Sequence, residues 1–115
     1  VDDSRIIRTV ARKILEAMNF TIDEAEDGTT ALESCRRDMP AAIILDANLP
    51  TKGSLAFLRS LRDEDGGQKP IVMLSTSENN VAQISEAVNA GANEYIMKPF
   101  DSAVIEAKFA DVGLV

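Results

Sequence analysis

Residues 41–45, Ala41-Ala42-Ile43-Ile44-Leu45, are apolar at every position. A strand with one wet face alternates apolar and polar side chains, so an unbroken apolar run implies a strand covered on both faces. A second run, Ile71-Val72-Met73-Leu74, follows Pro70. Two such strands require helices on either side of their sheet, and the intervening sequence supplies them. Ser4 reads as a helix N-cap ahead of Ile6, Ile7, Val10, Ala11, Ile14, Leu15 and Met18, one helical stripe that Asn19 ends. Thr21 to Ala25 reads as a short strand, Asp27-Gly28 as a turn, and Thr29 to Asp38 as a short helix stopped by Pro40. Leu55, Leu58 and Leu61 predict a helix closed by the loop Asp63-Glu64-Asp65-Gly66-Gly67. Val81, Ile84 and Val88 predict another, capped by Gly91. Tyr95 to Met97 is the last strand, and Val104, Ile105, Lys108, Phe109 and Val112 build a last helix that Gly113 ends. Strands and helices alternate throughout, which predicts an open, doubly wound α/β fold with ligands at the carboxyl ends of its strands.

At 115 residues the chain makes one domain, expected over 1–115. Its net charge of −7 argues against a nucleic-acid module, which would carry a basic face. No apolar stretch approaches the roughly 18 residues of a membrane span and no signal-peptide pattern opens the chain, so no membrane partner is expected. The single cysteine, Cys35, cannot form an internal disulfide, which fits a reducing cytoplasm, and it reads as a packing residue. Histidine is absent, which removes Ser-His-Asp and Cys-His catalysis and every histidine-ligated metal. A metal here must be a hard cation held by oxygen.

Polar residues collect where the strands end. Asp46 follows the first apolar run and precedes Asn48-Leu49-Pro50; Lys98 follows Tyr95-Ile96-Met97; Asp2 and Asp3 stand behind a lone apolar Val1. A strand ending at Asp2 should be about five residues long, so most of it is expected to lie upstream of this sequence. Three carboxylates gathered at one sheet edge repel, by about 4 kcal/mol per pair at ~4 Å and an effective dielectric of ~20. Such a cluster raises a pKa or binds a cation. Lys98 supplies the opposite charge, able to neutralise Asp46 at rest and clamp a phosphoryl oxygen afterwards. Lys98-Pro99 is a candidate cis peptide, and at least one hydroxyl of Ser75, Thr76 and Ser77 should face the same edge. Each signal has an ordinary explanation: an Asp after a strand is usually a turn residue, acids before Ser4 favour a helix N-terminus, and a Ser/Thr cluster is usually a loop. Their joint occurrence at four strand ends is what points to a site.

The order Asp2-Asp3, Asp46, Thr76, Lys98-Pro99-Phe100, with Gly91-Ala92-Asn93-Glu94-Tyr95 leading into it, resembles the receiver domain of bacterial two-component response regulators, most closely the stand-alone, chemotaxis-type regulators. The resemblance covers the whole chain. It implies a flavodoxin-like, five-stranded parallel sheet of order 2-1-3-4-5 with helices on both faces, in a single receiver domain with no effector domain. It implies that Asp46 accepts a phosphoryl group from a histidine kinase or phosphotransfer protein. Asp2 and Asp3 would hold Mg2+ (or Mn2+) together with Asp46 and the Asn48 backbone carbonyl. Thr76 would be the switch hydroxyl, Lys98 the phosphoryl-binding lysine and Tyr95 the aromatic switch; Asn48 and Glu78 would tune dephosphorylation. The chain would be a signalling switch, not an enzyme beyond its own phosphorylation and dephosphorylation. It would act as a monomer or weak dimer, with output through a protein target such as a flagellar motor component or another signalling protein.

One stretch departs from the family pattern. After Pro50 the family shows an apolar residue and then Asp-Gly, whereas this chain has Thr51-Lys52-Gly53-Ser54. The glycine is displaced by one position, the acid is gone, and Lys52 adds a cation near the site. Altered backbone geometry beside Asp46 is the expectation, and a degenerate receiver that only binds stays open. A haloacid-dehalogenase-type enzyme would need a second acid two positions after Asp46, where Asn48 stands. A flavin carrier of the same topology would meet repulsion between its phosphate and Asp2 and Asp3. Arg5, Arg8 and Arg12 recur at helical spacing, either as a solvated basic face or as a surface that steers an acidic partner.

Overall fold

A computed structural model of the chain describes residues 1–49, 53–77 and 81–115. The strands β1 (Ala42–Asp46), β2 (Ile71–Thr76) and β3 (Glu94–Met97) form a parallel sheet in the order β1-β2-β3. Register pairs Asp46 with Ser75 and Ser75 with Ile96. The helices are α1 (Arg5–Ala17), α2 (Gly28–Arg37), α3 (Gly53–Asp63), α4 (Val81–Ala90) and α5 (Ser102–Asp111). Alternation along the strands sends their side chains into two cores. Ile43, Leu45, Val72 and Leu74 pack with residues of α2, α3 and α4. Ile44, Met73 and Ile96 pack with residues of α1 and α5. Leu45, Leu58, Leu61, Val72, Met73, Ile96 and Ile105 are fully buried, each contributing about 1.5–3 kcal/mol by leaving water. Among the described residues no helix is long and apolar enough to cross a membrane.

The helix boundaries follow local chemistry. Ser4 caps α1 by accepting from the Ile7 N–H at 3.3 Å, and Asn19 takes φ 68° after its end. Asp27, expected as a turn residue, is instead the N-cap of α2 and accepts from the Thr30 N–H at 2.7 Å. Asp101 caps α5 in the same way and starts that helix ahead of its first apolar residue. At the end of α4, Gly91 has φ +121°, and the Ala92 N–H reaches back to the Ala87 carbonyl.

One expectation is corrected. Residues 21–25 carry no strand, and among the described residues the only backbone bond that reaches them runs from the Asp2 N–H to the Ala25 carbonyl at 3.0 Å. One such bond is too few to form a ladder. Among the described residues three strands of the expected flavodoxin-like sheet are formed, with residues 1–2 alongside. Val1 donates to the Ile44 carbonyl at 2.7 Å and accepts from the Asp46 N–H at 2.8 Å. This short parallel contact lies on the free edge of β1, where a strand ending at Asp2 belongs.

Candidate functional site

Val1 and Asp46 are tied backbone to backbone, so Asp2 emerges beside Asp46 at the carboxyl edge of the sheet. Both carboxylates are buried, each residue 5 % exposed, while Asp3 is exposed. One carboxylate oxygen from each of Asp2, Asp3 and Asp46 lies within 4.8 Å of the others. Lys98 follows β3, across β2 from Asp46, its Nζ 2.8 Å from Asp2 Oδ2 and 3.1 Å from Asp46 Oδ1. Burial weakens the lysine's hold on its proton, but hydrogen bonds and charges from Asp2 and Asp46 outweigh that, and its pKa ends above the ordinary value.

The two buried acids are oriented by backbone donors as well. Asp2 Oδ1 accepts from the Ser4 N–H at 2.9 Å, so the turn into α1 fixes its rotamer. Asp46 Oδ1 accepts from the Asn48 N–H at 3.1 Å in addition to Lys98. Among the described residues Asp46 Oδ2 receives no hydrogen bond, which leaves that oxygen available for chemistry. The Lys98–Pro99 bond is cis, as its sequence position suggested.

The donor set suits a hard divalent cation. Three carboxylates against one ammonium leave surplus negative charge, every donor atom is oxygen, and exposed Asp3 opens the cluster to solvent. Asn48, whose carbonyl was the fourth expected ligand, is exposed two residues after Asp46, and its side-chain oxygen accepts from Gln83 Nε2 at 3.2 Å.

Thr76 and Tyr95 lie on the opposite face of the sheet from the residues that carry Asp46 and Lys98. Thr76 is fully buried and its carbonyl accepts the Lys98 N–H at 2.8 Å. Alternation puts it on the face of Leu74, whose register partner is Tyr95. Tyr95 is half-buried, with Lys108 Nζ 4.8 Å from its ring centroid. Asp46, Ser75 and Lys98 instead follow Ile44, Met73 and Ile96 toward α1 and α5.

Sequence reasoning missed Ser54. This residue is buried at the start of α3, and its hydroxyl donates to the Asp46 backbone carbonyl in a short hydrogen bond. The preceding Gly53 has φ +69°, a conformation that favours glycine. The displaced glycine and serine thus anchor α3 to the end of β1. Thr51, Lys52 and Glu78 lie outside the described residues. The basic stripe on α1 is largely committed within the molecule. Arg8 and Arg12 pair with Glu24 at 3.1 and 2.5 Å, and Arg8 also donates to the Asp2 carbonyl at 2.6 Å. Cys35 is buried as expected, which pushes its thiol pKa up.

Residues 1–110 match the response regulator receiver domain family. Among curated relatives, the transcriptional regulatory protein CseB of Streptomyces coelicolor is 35% identical over 112 residues, covering 97% of this chain and 47% of that protein. Response regulator MprA of Mycobacterium leprae is 37% identical over 100 residues, covering 87% and 43%. This chain spans about half the length of these curated relatives. In fold it is similar to the chemotaxis protein CheY4 of Vibrio cholerae, with a TM-score of 0.91 at 24% identity over 96% of this chain and 92% of that one. It is also similar to the receiver domain of the sensor histidine kinase PA1611 of Pseudomonas aeruginosa, which has a magnesium ion coordinated in its active site cleft. That TM-score is 0.87 at 24% identity, over 96% and 91% of the two chains.

Proposed function

The chain belongs to the response regulator receiver domain family, and from that premise we propose that it is a phosphorylation-driven signalling switch with Asp46 as its phosphoacceptor. The observation that carries this is the environment of one carboxylate. Asp46 is buried, its Oδ1 is held by Lys98 and the Asn48 N–H, and its Oδ2 is left without a hydrogen bond among the described residues.

In the proposed reaction Asp46 Oδ2 attacks the phosphorus of a phosphohistidine on a histidine kinase or phosphotransfer protein. The P–N bond breaks, its electron pair leaves with the imidazole, and an aspartyl phosphate remains. Catalysis of such a loose transfer is mainly positioning and charge stabilisation. Lys98, already on Asp46, needs to move little to follow the charge onto the phosphoryl oxygens. Asp2, Asp3 and Asp46 would hold magnesium, with manganese as a substitute; when bound it neutralises the phosphoryl oxygens. The Asn48 carbonyl is the proposed fourth protein ligand. Ser4 keeps Asp2 oriented for that role.

Readout is proposed to run through Thr76 and Tyr95, which share a face of the sheet. A phosphoryl group that draws the Thr76 hydroxyl toward the site leaves room for the Tyr95 ring. Inward movement of the ring gives up its contact with Lys108, a cation–π interaction of about 0.5–1 kcal/mol at an exposed site. This is a local charge change biasing a two-state element.

The proposed partners are the phosphodonor protein and a downstream protein target, in a cytoplasmic setting. The sequence-based exclusion of nucleic acid applies at most to this domain's own acidic surface. A curated relative is named a transcriptional regulator over a length this chain half spans, so the exclusion is withdrawn for any longer protein. A flagellar motor target has no support beyond a structural neighbour named for chemotaxis and is not carried forward.

Incubation with acetyl phosphate and magnesium, followed by intact-mass measurement, tests the reading. One phosphoryl group should add to the wild type, and none should add to Asp46→Asn or in the presence of a chelator. Undiminished modification of Asp46→Asn would remove the assignment.

A further inference from the structure

Ser75 is 1 % exposed, and its Oγ is buried without a hydrogen-bond partner among the described residues. Buried hydroxyls nearly always find a partner, and an orphan in a native fold calls for a reason. Its position supplies one. Ser75 is the register partner of Asp46 on β1 and follows Met73 on the α1/α5 face of the sheet. Lys98 extends β3 on that same face, and its ammonium reaches Asp46 Oδ1 and Asp2 Oδ2 beyond the central strand. Strands β1 and β3 are separated by two inter-strand spacings of about 4.8 Å, so the lysine side chain bridges the strand that carries Ser75. An ammonium has three N–H donors. Two of them are used on carboxylates here, and the third has no partner among the described residues.

Resting on the assignment of Asp46 as phosphoacceptor, we infer that Ser75 is a positioning residue for Lys98. Its hydroxyl accepts the free N–H of the ammonium once a phosphoryl group draws the lysine off the Asp46 carboxylate. In the resting site the ammonium is satisfied by two carboxylates and the hydroxyl is left over. When Asp46 becomes an acyl phosphate, its carboxylate loses its own charge, which passes to the phosphoryl oxygens, and its direct claim on Lys98 weakens. The serine then offers a neutral acceptor, fixed on the rigid central strand, that keeps the ammonium aimed at the phosphoryl oxygens. The arrangement leaves a polar group unsatisfied at rest so that it can act in the phosphorylated state, a trade of stability for function.

The inference sets stability and activity against each other. Ser75→Ala removes an unpaired buried hydroxyl at little cost in volume, so its Tm should rise. Its phosphorylation by acetyl phosphate with magnesium should nevertheless slow by about tenfold, less than the loss expected for a group that touches the reacting atoms. Ser75→Thr should restore the rate, and Ser75→Ala should have no further effect in a Lys98→Ala background. A merely structural serine would lower the Tm when removed and would act independently of Lys98. Wild-type rates in Ser75→Ala, or the same tenfold loss in the Lys98→Ala background, overturn the positioning role. Failure of the wild type itself to gain a phosphoryl group overturns the parent reading, and this one with it.

Discussion

The Lys98 ammonium sits 3.1 Å from Asp46 Oδ1 although the residues are 52 positions apart and their strands are separated by β2. With Asp2 at 2.8 Å, one cation holds two buried carboxylates together. Lys98→Met should therefore cost about 3 kcal/mol of stability, because breaking a buried pair leaves uncompensated charge behind. The same substitution should cost less in an Asp46→Asn background, where one of those charges is gone. Urea denaturation of the two single variants and the double variant measures the difference. Equal costs in both backgrounds would mean that the Lys98–Asp46 contact adds nothing to the fold beyond the Lys98–Asp2 pair.

The pH dependence has a worked sign at both ends. Lys98 has a folded pKa above its ordinary 10.5, so the stability it contributes is fully present below that value and is lost as pH rises through the folded one. Glu24 has the opposite shift. The Arg12 guanidinium, and after it Arg8, hold its carboxyl below the ordinary 4.5, so its contribution is present above that value and is lost as pH falls through the folded one. Thermal melts at constant ionic strength should show an acid arm that Glu24→Gln flattens and an alkaline arm that Lys98→Met flattens.

Metal binding should be visible without phosphorylation. A cation that binds only the folded state stabilises it by about 2.7 kcal/mol at a hundredfold excess over Kd. Magnesium should thus raise the Tm, and Asp3→Asn, which removes an exposed donor, should weaken affinity about tenfold, or 1.4 kcal/mol. Without magnesium Asp3→Asn should be at least as stable as wild type, since it lowers repulsion in the cluster. Calorimetric titration with magnesium chloride checks both; an unchanged Kd would take Asp3 out of the metal site.

How far the sequence could be read depended on where each signal lived. Strands buried on both faces announce themselves in unbroken apolar runs, and Asp46 and Lys98 stand out because each follows one. Helix caps were half legible. Ser4 precedes a clear stripe, whereas Asp27 reads equally as a turn before Gly28 until its bond to Thr30 is known. Thr21 to Ala25 has the composition of a strand, but a strand is made by its neighbours, and among the described residues only Ala25 has a backbone partner there. Arg8 and Arg12 show a basic face by spacing, yet their commitment to Glu24 spans 16 and 12 positions. Ser54 gave no local signal, and Ser75 only the general expectation that one hydroxyl of residues 75–77 faces the site. One matters through a carbonyl eight residues back, the other through a register that exists only in the assembled sheet.

Arg62 is the clearest residue of that second kind. Its position near the end of an amphipathic helix suggests an exposed cation, but its guanidinium ties α3 to the loops that lead into β2 and β3, at residues 67–70 and 91–93. It donates to the Gly91 carbonyl from Nε at 3.1 Å and Nη2 at 2.6 Å, to the Gly67 and Pro70 carbonyls at 2.8 and 2.9 Å, and to Asn93 Oδ1 at 2.9 Å. Asn93 Oδ1 in turn accepts from the Val72 N–H at 2.8 Å, which links the clamp to the start of β2. Hydrogen bonds to a charged donor are worth about 1.5–3 kcal/mol each when one partner is removed, though they share one side chain and will not add. Arg62→Met should cost about 3 kcal/mol while leaving Asp46 phosphorylation measurable in the folded fraction. Gly91→Ala attacks the same clamp from the other side. A Cβ there would sit 2.8 Å from Arg62 Cγ and 2.9 Å from Nε, at a φ of +121° that alanine disfavours. Since both variants break one contact, the double variant should be less destabilised than the sum of the two. Additive costs in chemical denaturation would mean that the glycine is needed for its backbone angle alone.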